Sequence, residues 1–316
     1  MFAGGQPFRV LAPAKINLYL EVLGRRPDGY HNLRSLVTPI ALCDEVTLEP
    51  TDGPIEVHTD VSALPRTGPV DGLDGDANLA ARAARLLRER TGHRGGARVG
   101  ITKHIPIGGG LGGGSADAAA TLRGLNLLWG TGVPEAELMA LGGELGCDVP
   151  ALVCGRTVSM EGKGERIAPL GVSDALRTRE WWLVVGNPGV SVPTRDIYRR
   201  FKLGLTPPPE TFNNIRLALE RGDVELAGGS LFNALQATVM AKYPLLALLA
   251  EALRRAGGVG VLLSGSGAAL FARARDRGHA QAIEDGVRQA TGPWLWSRVV
   301  RMLPDGVIGS TRPFGG

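Results

Sequence analysis

The chain has 316 residues, 44% hydrophobic and 21% charged, with a formal net charge of +4 and a pI near 9.2. That balance excludes collagen-like and disordered classes, and at this length one core nears its practical limit, so two domains are expected. Lys and Arg are scattered, which suits attraction of a polyanionic small molecule and makes no basic stripe for nucleic acid.

Cys43, Cys147 and Cys154 are odd in number and without paired spacing, which points away from a disulfide framework and toward a reducing compartment. No spacing of Cys or His suggests a zinc site. Met1–Arg9 lacks a signal-peptide layout, and the apolar run Leu245–Leu253 carries Glu251 and is too short to span a bilayer. A cytoplasmic protein with no membrane partner is expected.

In Phe8–Leu23, Ile16, Leu18, Leu20 and Val22 alternate with other residues, so a half-buried strand is predicted. Lys15 and Asn17 fall on the opposite face, for which alternation alone predicts solvent. The turn-rich stretch G-R-R-P-D-G-Y-H centres on Asp28-Gly29 and delivers Tyr30 and His31 to an apolar segment, Leu33–Leu42. An aromatic ring and an imidazole at such a loop exit suit a flat ligand ring. Val46–Leu48 and Ile55–His58 read as short strands and Pro65–Asp76 as a surface loop. Asn78 caps a helix over Leu79–Arg90.

Arg98–Ile105, carrying Lys103, is a strand that feeds the most informative stretch, P-I-G-G-G-L-G-G-G-S-A-D-A-A at Pro106–Ala119. Six of the seven residues from Gly108 to Gly114 are glycine. Glycine lets a chain wrap an anion with its N–H groups, and Ser115 as N-cap would start a helix whose free donors add to the cradle. The pattern G-x-G-x-x-G is present, but the acidic residue a dinucleotide fold wants would fall in the turn Gly130–Pro134. Walker A fails because no Lys-Ser or Lys-Thr follows the glycines. A hinge without ligand is disfavoured between a strand and a capped helix. A phosphate loop lacking a lysine fits best.

Helices follow at Ser115–Leu128 and Glu135–Leu145, the second opened by Pro134. Asp148 then sits at a helix exit before Pro150, where a turn-forming role is common. A composition break at Gly171–Arg179 divides residues 1–172 from residues 173–316. Beyond it come strand Trp181–Val185, helix Arg195–Phe201, the stiff Pro207–Pro209, and helical runs Thr211–Arg221, Leu231–Ala241 and Leu245–Arg255. Strand Gly260–Leu263, turn Ser264–Gly267, strand Ala268–Ala272, helix Gly278–Thr291 and strand Leu295–Leu303 complete the chain. Ignoring the additional helices, the order is the split β-α-β-β-α-β of ferredoxin-like domains.

Three separated motifs, P-A-K-I-N-L at Pro13–Leu18, P-I-G-G-G-L-G-G-G-S-A at Pro106–Ala116 and S-G-S-G at Ser264–Gly267, resemble the GHMP kinase superfamily. G-R-R-P-D-G-Y-H, G-C-D-V-P and P-G-V-S-V-P-T narrow the resemblance to a branch acting on a cytidine-bearing alcohol. It runs from about Val10 to Leu303 and implies an α+β, two-domain GHMP kinase fold. The N-terminal domain would be ribosomal-protein-S5-like and the C-terminal one ferredoxin-like, with the active site between them.

The implied activity is ATP-dependent phosphorylation of an alcohol, with Mg²⁺ accompanying ATP. The implied nucleotide-side residues are Pro106, Ile107, Gly108, Gly109, Gly110, Leu111, Gly112, Gly113, Gly114, Ser115 and Ala116, with Lys103 and Asn78. Lys15 and Asp148 match the family's catalytic pair. Asn17, Tyr30, His31, Thr194, Tyr198, Gly265, Ser266 and Gly267 match substrate-side positions, with Tyr30, His31 and Tyr198 near the cytosine. No metal ligand stands out beyond Ser115, a candidate through Mg-ATP. Two mild departures occur: Ser115-Ala116-Asp117 sits where Ser-Ser-Asn also occurs, and Cys147 replaces a common Ala.

Overall fold

A computed structural model of the chain describes residues 7–64, 73–171, 174, 180–202, 210–306 and 312–313. Most of the expected loop Pro65–Asp76, most of the break Gly171–Arg179, and Pro207–Pro209 lie outside the described residues.

Two long strands, β1 (Phe8–Arg25) and β2 (His31–Thr51), form an antiparallel hairpin joined by the Asp28-Gly29 turn. β3 (Ile55–Asp60) follows, then α1 (Leu79–Thr91), capped by the Asn78 side chain, which accepts from the Ala80 N–H. β4 (Gly96–Thr102) lies antiparallel to β2 and parallel to β3. After the glycine stretch come α2 (Gly113–Leu128), α3 (Glu135–Leu145) and the short α4 (Val149–Cys154). The hairpin of β5 (Val158–Gly162) and β6 (Arg166–Pro169) adds to β2.

The second half begins with β7 (Trp182–Asn187), α5 (Thr194–Arg200), α6 (Thr211–Arg221) and α7 (Val224–Gly229). A two-residue strand, β8 (Phe232–Asn233), precedes α8 (Gln236–Lys242) and α9 (Pro244–Arg255). β9 (Val259–Leu263), β10 (Leu270–Arg273), α10 (Arg277–Thr291), β11 (Trp296–Arg301) and β12 (Arg312–Pro313) close the chain.

The larger sheet runs β12-β1-β2-β4-β3, and the smaller one β11-β7-β10-β9 with every neighbouring pair antiparallel. The smaller sheet with α9 and α10 is the ferredoxin-like split expected from the element order. Its core joins Leu249, Leu253, Ile283 and Val287 of the helices to Val184, Leu263 and Leu270 of the strands.

Two expectations give way to tertiary packing. Leu231–Ala241 is not one helix, because Phe232 and Asn233 pair in parallel with Tyr19 and Leu20 of β1. The Asn233 amide donates to the carbonyls of Leu263 and Gly265, both at 2.8 Å, which holds it extended until α8 starts. Ser115 is not the N-cap of α2 either. The helix starts at Gly113 behind Gly112, whose φ of 72° only glycine adopts readily, so Ser115 lies inside the first turn.

α2 crosses the hairpin sheet at close range because position 124 has no side chain. A Cβ at Gly124 would stand 2.3 Å from Leu48 Cδ1 and 2.9 Å from Val10 Cγ2. The site depends on that closeness, since α2 carries the end of the glycine loop. Gly124→Val should cost about 1–3 kcal/mol by overpacking; an unchanged urea-unfolding midpoint and slope would contradict this packing.

Candidate active site

A cleft of about 860 Å³ opens between the two sheets. Lys15 and Asn17 of β1, His31 and Ser35 of β2, Gly110, Gly112 and Ser115 of the glycine stretch, Asp148, and Thr194 and Tyr198 of α5 all line it. Gly265 and Ser266 of the second glycine turn close one side.

The glycine loop owes its form to where its carbonyls point. Gly109 accepts from the Ala269 N–H at 2.9 Å, Gly110 from the Ser264 hydroxyl at 3.0 Å, and Leu111 from the Lys15 N–H at 2.9 Å. Three successive carbonyls are thus satisfied by three other parts of the chain. The N–H groups of Gly110, Leu111 and Gly112 have no hydrogen-bond partner among the described residues. Such a run of free donors at a helix start is an anion-binding arrangement.

Gly108, Gly110 and Gly112 have φ of 68°, 74° and 72°. At Gly110 a Cβ would lie 2.4 Å from the Ser264 carbonyl oxygen, so the two glycine turns meet backbone to backbone. At Gly112 a Cβ would come within 3.0 Å of Lys15 Cγ, so the lysine stem runs along the loop.

Lys15 and Asn17 are each only 4% exposed, against the solvated face that alternation predicts. β1 is buried on both sides over its middle. Irregularities in its register between Pro13 and Lys15, and again between Asn17 and Tyr19, bracket this segment. Bulges of this kind re-aim side chains. Lys15 Nζ donates to Asn17 Oδ1 at 2.8 Å and lies 3.4 Å from Asp148 Oδ2. The Asn17 amide donates to the Ser35 hydroxyl at 2.9 Å, and that hydroxyl donates to the Tyr19 carbonyl at 2.6 Å. The chain Lys15–Asn17–Ser35 therefore has one direction and fixes the ammonium. Asp148 holds the N-cap position of α4, yet its side chain caps nothing. Its carboxylate is left for the cleft.

At the other end the rings of His31 and Tyr198 lie 5.2 Å apart, tilted by 32°. Burial, helped by Arg25, lowers the His31 pKa from its ordinary imidazole value. Burial raises the Tyr198 phenol, with Asp148 and Cys147 adding to it. Tyr30 is 57% exposed, with Lys163 Nζ 5.4 Å from its ring centre. Thr194 Oγ1 and Ser266 Oγ share a hydrogen bond at 2.7 Å, joining α5 to the second glycine turn.

Several expected residues do not line this cleft. Asn78 serves α1, and Lys103 is buried below the loop with its ammonium between two carboxylates. Pro106, Ile107, Gly108, Gly109, Leu111, Gly113, Gly114, Ala116 and Gly267 belong to the two glycine loops but are not among the residues that line it. Conversely Arg25, Lys163, Arg195 and Arg199 line the cleft, and sequence reasoning missed them. Arg25 ends β1 within the G-R-R-P-D-G-Y-H motif, Lys163 lies in the turn between β5 and β6, and Arg195 and Arg199 lie on α5, so only Arg25 carried a motif that could have pointed to it.

Family models described as GHMP kinases N terminal domain and GHMP kinases C terminal match residues 78–156 and 215–293. A 4-diphosphocytidyl-2-C-methyl-D-erythritol kinase of Symbiobacterium thermophilum is 42% identical over 265 residues, covering 84% of this chain and 89% of the relative. One from Geobacillus thermodenitrificans is 39% identical, covering 88% and 92%. A crystal structure of 4-(cytidine 5'-diphospho)-2C-methyl-D-erythritol kinase superposes with a TM-score of 0.75 at 36% identity, covering 93% of this chain and 98% of that one. Homoserine kinase from Cytophaga hutchinsonii, at 20% identity and a TM-score of 0.72 over 95% and 96%, shares the fold. Identity near two residues in five over most of both sequences goes beyond likeness of fold, and this chain belongs to the 4-diphosphocytidyl-2-C-methyl-D-erythritol kinase family of the GHMP kinases.

Proposed function

We propose that the protein transfers the γ-phosphoryl group of ATP to the 2-hydroxyl of 4-diphosphocytidyl-2-C-methyl-D-erythritol, giving the 2-phosphate and ADP in the non-mevalonate route to isoprenoid precursors. The observation that carries the reading is the meeting, in one cleft, of the Lys15–Asp148 pair, the free N–H groups of the glycine loop and the His31–Tyr198 rings. Residues 1–172 and 173–316 are the two domains of this reading, and the cytoplasm, where ATP is made available, is its compartment.

The loop Pro106–Ala116 holds the triphosphate through backbone donors. Asp148 accepts the hydrogen bond of the substrate hydroxyl and orients its oxygen toward the γ-phosphorus. Lys15, fixed by Asn17 and 3.4 Å from Asp148, is placed to meet charge on the transferring group. As the new O–P bond forms and the bond to ADP breaks, the hydroxyl proton passes toward Asp148. His31 and Tyr198, with Tyr30 at the rim, hold the cytosine. Asn17, Thr194 and the Gly265–Gly267 turn position the rest of the substrate.

Among the described residues no group of three or more His, Cys, Asp or Glu side chains is placed to hold a metal by itself. That suits Mg²⁺, which keeps waters and is held largely by nucleotide phosphates. The Ser115 hydroxyl, lining the cleft at the end of the loop, is the protein oxygen fitted to it. Mg²⁺ supplies neutralisation of charge on the phosphate oxygens.

ADP release measured with 4-diphosphocytidyl-2-C-methyl-D-erythritol, mevalonate, homoserine and galactose tests the substrate. Turnover of the first alone is expected, and preference for another would overturn the reading. Asp148→Asn should lower kcat by about 100-fold or more with ATP affinity retained; near-normal turnover would remove Asp148 from the mechanism. Tyr198→Ala should raise KM for the cytidine substrate by about tenfold, roughly the loss of one aromatic stacking contact, while KM for ATP stays put. Equal rises in both constants would show that the ring only packs.

A further inference from the structure

Beneath the glycine loop lies a charged cluster that the cleft does not reach. Asp44 of β2 is fully buried, and Lys103 and Asp117 are nearly so. Lys103 Nζ donates to Asp117 Oδ2 at 2.7 Å and also to Asp44 Oδ2. The other Asp44 oxygen accepts from the N–H groups of His104 at 2.5 Å and Ile105 at 2.8 Å. The Lys103 N–H donates to the Asp60 carbonyl of β3 at 2.8 Å. Burial opposes the charge on Lys103, but Asp117 and Asp44 outweigh it, and the ammonium remains protonated.

The placement along the chain gives these bonds their meaning. Residues 103–105 run directly into Pro106, so Asp44 grips the chain just before the loop. Asp117 lies on α2, so the same ammonium grips it just after. Gly113, the first residue of α2, rests on the cluster, where a Cβ would come within 3.2 Å of both Lys103 Nζ and Ile105 Cγ2. Among the described residues Asp117 Oδ1 is buried without a hydrogen-bond partner, and burial pushes the Asp117 carboxyl up to about 7. Buried ionic groups are a poor way to gain stability over apolar packing, and fixing geometry is the role that fits such an arrangement.

We propose that Asp44, Lys103 and Asp117 are positioning residues for the nucleotide: one ammonium shared by two carboxylates sets the spacing between the strand that enters the glycine loop and the helix that leaves it. The proposal rests on the reading that this loop holds ATP. It assigns Lys103 a role through the loop rather than by contact with the nucleotide.

Steady-state kinetics with Asp117→Ala and Asp117→Asn, alongside melting temperatures, test it. Asp117→Ala should raise KM for ATP about tenfold, or about 1.4 kcal/mol, with kcat and KM for the cytidine substrate within about twofold. Asp117→Asn keeps an acceptor for Lys103 and should restore KM for ATP to within about twofold of the unaltered protein. A merely structural role would lower the melting temperature and the active fraction without moving KM for ATP, and that result overturns the proposal. Equal rises in KM for both substrates would overturn it too. Should Asp117→Ala fail to fold, the double variant Lys103→Met with Asp117→Asn removes one charge of each sign and is judged by the same split. If the unaltered protein itself binds no ATP in calorimetric titration, the nucleotide reading fails. If it binds ATP and Asp117→Ala binds it equally well, only the brace fails.

Discussion

Everything in the cleft depends on the direction of three carbonyl groups. Those of Gly109, Gly110 and Leu111 are drawn toward Ala269, Ser264 and Lys15, and the remaining donors of the loop are freed by that arrangement. The glycines permit this geometry without creating it, since an isolated glycine run has no preferred direction. What directs it is tertiary: one donor from β1, one from the second glycine turn and one from Ala269 just beyond that turn. An anion site thus arises from satisfied acceptors, because a backbone whose carbonyls are all bonded on one side presents N–H groups on the other.

The Lys15 backbone N–H and its side chain do different work. The amide helps to set the loop, while the ammonium, held by Asn17, faces Asp148. Loop and charged pair therefore move as one piece, and the spacing between phosphate site and carboxylate is fixed by a single residue of β1. The bulges on either side of Lys15 and Asn17 leave the strand's hydrogen bonds largely intact while turning these two polar groups into the cleft.

Much of this was legible in the residues. The glycine run, the split β-α-β-β-α-β order and the placement of Asp148 at a helix exit follow from local chemistry, and the structure agrees with the element order. The misses are long-range. Period-two alternation at Lys15 and Asn17 predicts solvent because it knows one strand at a time; the second buried face comes from elements far away in sequence. Helical periodicity over Leu231–Ala241 loses to the pairing of Phe232 and Asn233 with β1, and Ser115, a good cap by residue type, is forestalled by Gly112. Lys103 cannot be placed without knowing that Asp44, far from it in sequence, lies alongside.

The two-residue strand β8 bears on how the cleft can open. It adds a ladder to β1 at Tyr19 and Leu20, just beyond Asn17, while the Ala269 N–H bonds to Gly109 across the facing wall. The halves of the molecule are thereby stitched together on both flanks of the cavity. A rigid swing of one half against the other would have to break backbone hydrogen bonds that lie beside the reacting groups. The rim is built differently: there Tyr30 is exposed and meets the Lys163 ammonium through its ring alone, with no backbone ladder across it among the described residues.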